Sequence, residues 1–380
     1  MSFLTLWCLV SLAASDTKIQ HHFTLPNPDK PLVVAQKNMS MSDDTYFIAD
    51  KQAIRAFDFS GKPRTYFADG KQQLLLFEDP EQEKFAGFSF LRASNRVVMV
   101  MQSEAKRAWV FEADDPNSRW PLTCDICPSR NYFQQLIEDP RSGRLFLNLW
   151  SNKFREDQNM LVEVVMAITA EGFRLDPIEP SFHTPSVFEF FATQKSVTDS
   201  PQTLRWVAAG PGDELVMVAE ASPLLNRFKR TFDGKRLAYD QARERVVRQS
   251  WATGNIAKPQ DFSVDAKESK RWRYSFSRNV ALLPWGADDF LMAYTSPNPS
   301  HPFYVKESGE SDSKAEPWRL HLMVVDYLGE TLKGDDGKPV PEIVVDGGRL
   351  LGLDAEGRAH ILVATLPGSG EYKVVVKQIP

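Results

Sequence analysis

Four oxygen-donor side chains, Glu138, Asn148, Asp213 and Asp289, stand beside apolar stretches in widely separated parts of the chain. Carboxylate and amide oxygens gathered from separate elements would hold one hard divalent cation, able to polarise a carbonyl or activate a water. Four histidines, His183, His301, His321 and His360, are dispersed in the same way, and converging imidazoles would bind a metal of a softer kind. Their surroundings favour a plainer role. His301 sits beside Pro302 in a polar stretch, and His321 and His360 lie inside apolar runs, where a histidine serves packing with its ring nitrogens satisfied. Acidic residues and asparagines are equally ordinary at turns. The expectation is therefore that no metal and no other cofactor is held.

The linear signatures of other chemistries are missing. There is no Gly-x-Ser-x-Gly elbow and no glycine-rich phosphate loop. The Cys124-Asp125-Ile126-Cys127 pair is followed by Pro128, not by the histidine of a haem attachment site. A zinc site would need a second ligand pair, and a redox pair would need its first cysteine at a helix N-terminus. The segment after Pro128 reads as the approach to a strand. A local disulfide between Cys124 and Cys127 is the reading kept, with free thiols as the alternative.

Charge supplies the one compositional departure. The chain of 380 residues has an ordinary 42% hydrophobic and 25% charged content and a net charge of −5. Between Arg227 and Arg278, however, basic residues exceed acidic ones by about 8. Arg227, Arg230, Arg236, Arg271 and Arg273 stand here with Trp251 and Trp272 interleaved. Such a stretch could meet an anionic partner or an acidic protein face. It could equally be a solvated sheet edge whose charges block edge-to-edge pairing.

These residues must be positioned by strands, because the apolar pattern has period two and no long amphipathic helix is visible. Six times a turn signal runs into a short apolar strand: at Ser42-Asp43-Asp44, Ala93-Ser94-Asn95, Asp139-Pro140-Arg141-Ser142-Gly143, Gly210-Pro211-Gly212-Asp213, Gly286-Ala287-Asp288-Asp289 and Asp354-Ala355-Glu356-Gly357. The first three repeat at about 50 residues and the last three at about 70. The excess reads as insertions, at Thr193–Pro201, Ala252–Lys270 and Ser296–Pro317. Residues 1–15 read as a signal peptide: an apolar run too short to span a bilayer, then Ala13-Ala14-Ser15, although no basic residue precedes the run. Lys18–Leu25 reads as a strand.

The runs Tyr46-Phe47-Ile48-Ala49-Asp50, Phe57-Asp58-Phe59-Ser60-Gly61-Lys62, Asp139-Pro140-Arg141-Ser142-Gly143-Arg144-Leu145 and Leu353-Asp354-Ala355-Glu356-Gly357-Arg358 resemble the six-bladed β-propellers of the NHL and TolB-like kind found in exported bacterial proteins. The resemblance implies an all-β, six-bladed β-propeller with four-stranded antiparallel blades, spanning residues 16–380 as one domain. Its ring would be closed by pairing of the N-terminal strand with the C-terminal blade. The architecture hosts enzymes, receptors and scaffolds alike. The expected function is a non-catalytic exported binding or scaffold module, periplasmic or extracellular, recognising a protein or an anionic ligand. Nucleic acid is not an expected partner, the mature chain carries no transmembrane segment, and a monomer is expected outside any complex. The alternative is a metal-dependent lyase or lactonase-type hydrolase working at the central channel.

Overall fold

The computed structural model describes residues 20–24, 39–49, 53–64, 73–76, 84–102, 108–113, 115, 118–124, 131–151, 161–178, 205–212, 214–220, 224–232, 237–246, 277–298, 318–365 and 371–380. The described elements are all β-strands. β1 (Gln20–Thr24) comes first. Five runs of four strands and a last run of three follow. The first run is β2 (Met39–Met41), β3 (Thr45–Ala49), β4 (Ala53–Asp58) and β5 (Gln73–Leu76). The second is β6 (Lys84–Leu91), β7 (Arg96–Gln102), β8 (Ala108–Glu112) and β9 (Arg119–Cys124). The third is β10 (Asn131–Glu138), β11 (Leu145–Ser151), β12 (Leu161–Thr169) and β13 (Gly172–Pro177). The fourth is β14 (Arg205–Ala209), β15 (Glu214–Ala219), β16 (Leu224–Phe232) and β17 (Leu237–Val246). The fifth is β18 (Arg278–Trp285), β19 (Asp289–Pro297), β20 (Trp318–Val325) and β21 (Ile343–Asp346). The last is β22 (Arg349–Leu353), β23 (Ala359–Ala364) and β24 (Glu371–Lys377).

Each run is an antiparallel meander in sequence order. Every one of the six turn signals falls between the first and second strands of a run. β1 supplies the fourth strand of the last run, pairing antiparallel with β24 from Gln20↔Val375 to Thr24↔Glu371. The second and third runs depart from the simple pattern. Their outer strands β9 and β13 pair in parallel, so that both runs form one eight-stranded sheet. The edge strands of that sheet, β6 and β10, lie beside each other, and the sheet is nearly closed.

The turns show why aspartate and glycine recur. At Asp139 the amide of Gly143 donates to the Asp139 carbonyl at 2.8 Å, and the amide of Asp139 donates to the Arg144 carbonyl at 2.9 Å. The Asp139 side chain accepts from the Ser142 amide at 2.8 Å. Gly143 takes φ +69°, which a side chain would disfavour. Asp58, Asp326 and Asp354 close turns one residue shorter, with the glycine amide three residues ahead donating to the aspartate carbonyl, and each side chain accepts amides two and four residues ahead.

Alternation along the strands gives each sheet two apolar faces, and among the described residues the core divides into six clusters, five of them between sequence-adjacent runs. Phe47 and Ile54 meet Phe88 and Phe111 between the first and second. Val98 and Leu122 meet Leu147 and Phe173 between the second and third. Phe146 meets Val207 and Phe228 between the third and fourth. Val216 and Leu225 meet Phe290 and Met292 between the fourth and fifth. Leu291 and Leu322 meet Leu350 and Ile361 between the fifth and last. The sixth cluster joins the last run to the first, through Leu362, Tyr372 and Val374 against Met39, Tyr46 and Ile48. No helix among the described residues is long and apolar enough to cross a membrane.

Candidate functional site

In a sequential antiparallel meander the first-to-second and third-to-fourth connections leave from one end, and the second-to-third connection leaves from the other. The end bearing the six first hairpins is tied together by two arginines. Arg141 is held in its turn by the Asp139 cap. Its guanidinium donates to the main-chain oxygens of Ala209 at 3.3 Å, Trp285 at 2.9 Å, Gly286 at 3.2 Å and Asp289 at 2.5 Å. It also covers the Phe290 ring at 4.9 Å. One side chain thus joins the first hairpins of the third, fourth and fifth runs. Arg92, in the second run's first hairpin, donates to the Leu353 carbonyl of the last run at 3.1 Å and lies 3.4 Å from Asp43 in the first run.

Two of the oxygen donors considered for a cation, Glu138 and Asp289, belong to this framework. Glu138 accepts the Ala93 amide at 3.0 Å. Burial pushes its carboxyl above the usual range, against the lowering effect of the Ala93 and Arg92 amides. Burial and the neighbouring Asp326 likewise raise the Asp289 carboxyl. Asn148 is buried in β11, and Asp213 lies outside the described residues. Among the described residues no group of three or more histidine, cysteine, aspartate or glutamate side chains is arranged to hold a metal ion.

The two histidines in apolar strands each sit in a buried polar network. His360 Nδ1 lies 2.7 Å from the Tyr46 hydroxyl, and Nε2 lies 2.9 Å from Asp354 Oδ2. Asp354 also accepts the Arg358 guanidinium at 2.7 Å. Burial pushes the Asp354 carboxyl up, but the bonds from His360 and Arg358 outweigh it and hold the group below the ordinary aspartate range. Desolvation, with Asp354 nearby, drives the Tyr46 phenol far up.

His321 is different in kind. Its Nε2 lies 2.7 Å from Ser296 Oγ, and its Nδ1 lies 3.2 Å from Glu342 Oε2. The Tyr294 hydroxyl donates to Glu342 Oε1 at 2.5 Å, and the Tyr294 ring stacks on the imidazole at 4.6 Å and 11°. The strands explain the meeting. Tyr294 and Ser296 share one face of β19, Tyr294 is the Cα partner of His321, and Glu342 immediately precedes β21, the next strand over. Ser296 was expected to open a solvated insertion. It is instead a buried residue near the end of β19, and Asn298 beyond it is also buried. The polar composition of 296–317 hid this, because a buried serine bonded to a histidine looks like any loop serine in sequence.

The basic stretch is divided by the topology. Arg227 lies in β16, forms a short ion pair with Glu214 and covers the Tyr327 ring at 5.0 Å. Arg230 is on the same strand, opposite Tyr239. Phe232 and Leu237 are the final Cα partners of β16 and β17, at the first-hairpin end of the sheet. At the far end of the stretch Arg278 pairs with Glu220 at 3.3 Å. Arg236, Trp251, Arg271, Trp272 and Arg273 lie outside the described residues. Cys124 closes β9 opposite Leu175 at the parallel junction, and Cys127 lies outside the described residues, as do residues 1–15, His183 and His301.

No family model and no curated protein matches the chain. Among solved structures it is similar to a member of the DUF4221 family from Bacteroides vulgatus, at 11% identity and TM-score 0.48 over 95% of this chain and 96% of that one. A candidate exported protein from Bacteroides fragilis aligns at 9% identity and TM-score 0.43 over 96% of each chain. The N-terminal domain of Nup159 aligns at 8% identity and TM-score 0.37 over 90% of this chain and 75% of that one. At these values the likenesses establish neither family nor function.

Proposed function

We propose that the chain is an exported six-bladed β-propeller of the NHL and TolB-like kind. In this reading it serves as a binding or scaffold module and meets a protein or anionic ligand at the end opposite the first hairpins. Five four-stranded meanders and a last of three strands joined by β1, with apolar clusters between neighbours and between last and first, support the ring. The pairing of β1 with β24 would close it. The binding reading rests on one observation: the arginine ties of Arg92 and Arg141 to main-chain oxygens commit the first-hairpin end to structure. The opposite end is where β17 hands over to β18 through residues 247–276, the segment carrying Trp251, Arg271, Trp272 and Arg273. Arg227 already has its carboxylate partner, so the later residues would supply the charge. A Cys124–Cys127 disulfide would brace the segment after β9 and would suit an oxidising compartment.

Retention of the full chain on a heparin column tests this. We expect salt-sensitive binding that elutes at clearly lower salt in the Arg271→Glu/Arg273→Glu double variant, with unchanged thermal unfolding. Equal elution of the two proteins would remove the basic stretch from the proposal.

A further inference from the structure

We propose that Ser296, His321 and Glu342 form an acyl-transfer site that hydrolyses carboxylic esters. The proposal goes beyond the binding reading and rests on none of its premises. Its basis is an order of contacts: a hydroxyl on one imidazole nitrogen and a carboxylate on the other. Ser296 Oγ is 2.7 Å from Nε2, within reach for proton transfer. Glu342 Oε2 faces Nδ1 at 3.2 Å, although the hydrogen bond is not well aligned, a common condition before substrate binds. The neutral tautomer with its proton on Nδ1 leaves Nε2 free to accept from Ser296.

Tyr294 fixes the carboxylate. By donating to Oε1 it leaves Oε2 turned towards the imidazole, while its ring holds the imidazole plane by stacking. Two neighbouring strands, β19 and β20, and the residue just before β21 build the arrangement, and strands position side chains more firmly than loops do. The group sits on the face of the fifth run that packs against the fourth, in the same cluster as Met292 and Met323. It lies towards the end of the sheet opposite the first hairpins, because β19 reaches that end at Pro297.

The reaction balances without any further reagent. As Ser296 Oγ attacks the ester carbonyl carbon, its proton passes to Nε2 and the carbonyl becomes a tetrahedral oxyanion. The C–O bond to the alkoxy group then breaks, the leaving alkoxide takes the proton from Nε2, and the alcohol departs. Water attacks the acyl-serine, giving its proton to Nε2. Collapse releases the carboxylic acid, and the proton returns to Ser296 Oγ. Glu342 stays ionised throughout and stabilises the imidazolium. Pro297, next to the nucleophile, has no amide hydrogen to offer the oxyanion. Losing one such donor costs about 100- to 1,000-fold, so slow turnover and clear covalent capture are expected.

The test is covalent labelling of the folded full chain by diisopropyl fluorophosphate, read by peptide mass. We expect one adduct, on Ser296, absent from heat-denatured protein and from Ser296→Ala. His321→Gln should slow labelling by about 100-fold or more, the usual contribution of a general base. Glu342→Gln should slow it less, and Glu342→Asp should restore part of the loss, which a merely structural carboxylate would not do. Folded wild-type protein that leaves Ser296 unlabelled, or a folded His321→Gln variant that labels as fast as wild type, overturns the proposal. Should His321→Gln not fold, the wild type decides alone: p-nitrophenyl acetate should give a burst approaching one equivalent with acetyl on Ser296, and acetylation elsewhere refutes it. Heparin retention is unaffected by any of these outcomes, so the two proposals fail separately.

Discussion

Arg92 donates to the carbonyl of Leu353 at 3.1 Å across 261 residues of sequence. Arg141 does the same between the third run and the fifth, with a closer and more numerous set of acceptors. Hydrogen bonds from charged donors are worth about 1.5–3 kcal/mol each, less where water screens them. Arg141→Ala should therefore lower unfolding free energy by about 2 kcal/mol, and Arg92→Ala, whose side chain is 38% exposed, by about 1 kcal/mol or less. Urea midpoints at constant slope check this. Equal effects would mean that the two ties do not differ in strength as their exposure implies.

Asp354 predicts an acid limit. Its carboxyl sits below the ordinary aspartate range in the folded chain and returns to about 3.9 on unfolding. The stability it contributes is thus complete above that value and is lost as pH falls through the lower folded one. Asp354→Asn should cost about 3 kcal/mol at neutral pH, because it removes the buried carboxylate shared by His360 Nε2 and the Arg358 guanidinium. It should also flatten the remaining dependence below about pH 4. Chemical denaturation from pH 3 to 7 separates the two proteins.

Tyr46→Phe removes one hydroxyl from the same network while keeping the ring that stacks on Phe59 at 4.7 Å. The loss should be about 1–2 kcal/mol, the cost of removing the buried bond between the Tyr46 hydroxyl and His360 Nδ1. A Tyr46→Phe protein that melts at a higher temperature than wild type would show that the buried bond contributes nothing net.

Gly172 predicts a local effect at the junction of the second and third runs. A Cβ at this position would lie 2.4 Å from the Pro121 carbonyl, and the backbone takes φ +149°. Gly172→Ala must push β13 from β9, at about 1–3 kcal/mol. Amide exchange should quicken in β9 and β13 first. Protection that is unchanged there would refute the close approach.

Much of the fold was legible in the sequence because its signals are local. Asp58, Asp326 and Asp354 announce turns through bonds to their own neighbours, and the strands after them alternate. The strand expected at Lys18–Leu25 followed from the same evidence, and lies at Gln20–Thr24. The parallel pairing of β9 with β13 did not, since it depends on how two edges meet after each run has formed. Side-chain sites were harder for the same reason. His321 and His360 were visible as histidines in apolar strands, and packing was the expected role. What distinguishes them is the residue opposite: Tyr46 from another run for His360, Ser296 and Glu342 from flanking elements for His321. Arg141 stood inside a turn already read for its aspartate and glycine, and nothing in its neighbours tells where a guanidinium will reach.

The pairing of Gln20–Thr24 with Glu371–Val375 sets an order on synthesis. Of the strands described, β1 leaves the ribosome first and β24 last. At about 5–20 residues per second, β1 waits tens of seconds for its partner while the strands between are made. During that wait β24's place beside it is empty, and an unpaired edge is a template for wrong pairing. Completion of the last sheet is therefore a late, non-local step whose rate is limited by bringing distant segments together. A nascent chain stalled before residue 371 would carry its other runs and yet keep one edge open, which is the form a holding chaperone would meet.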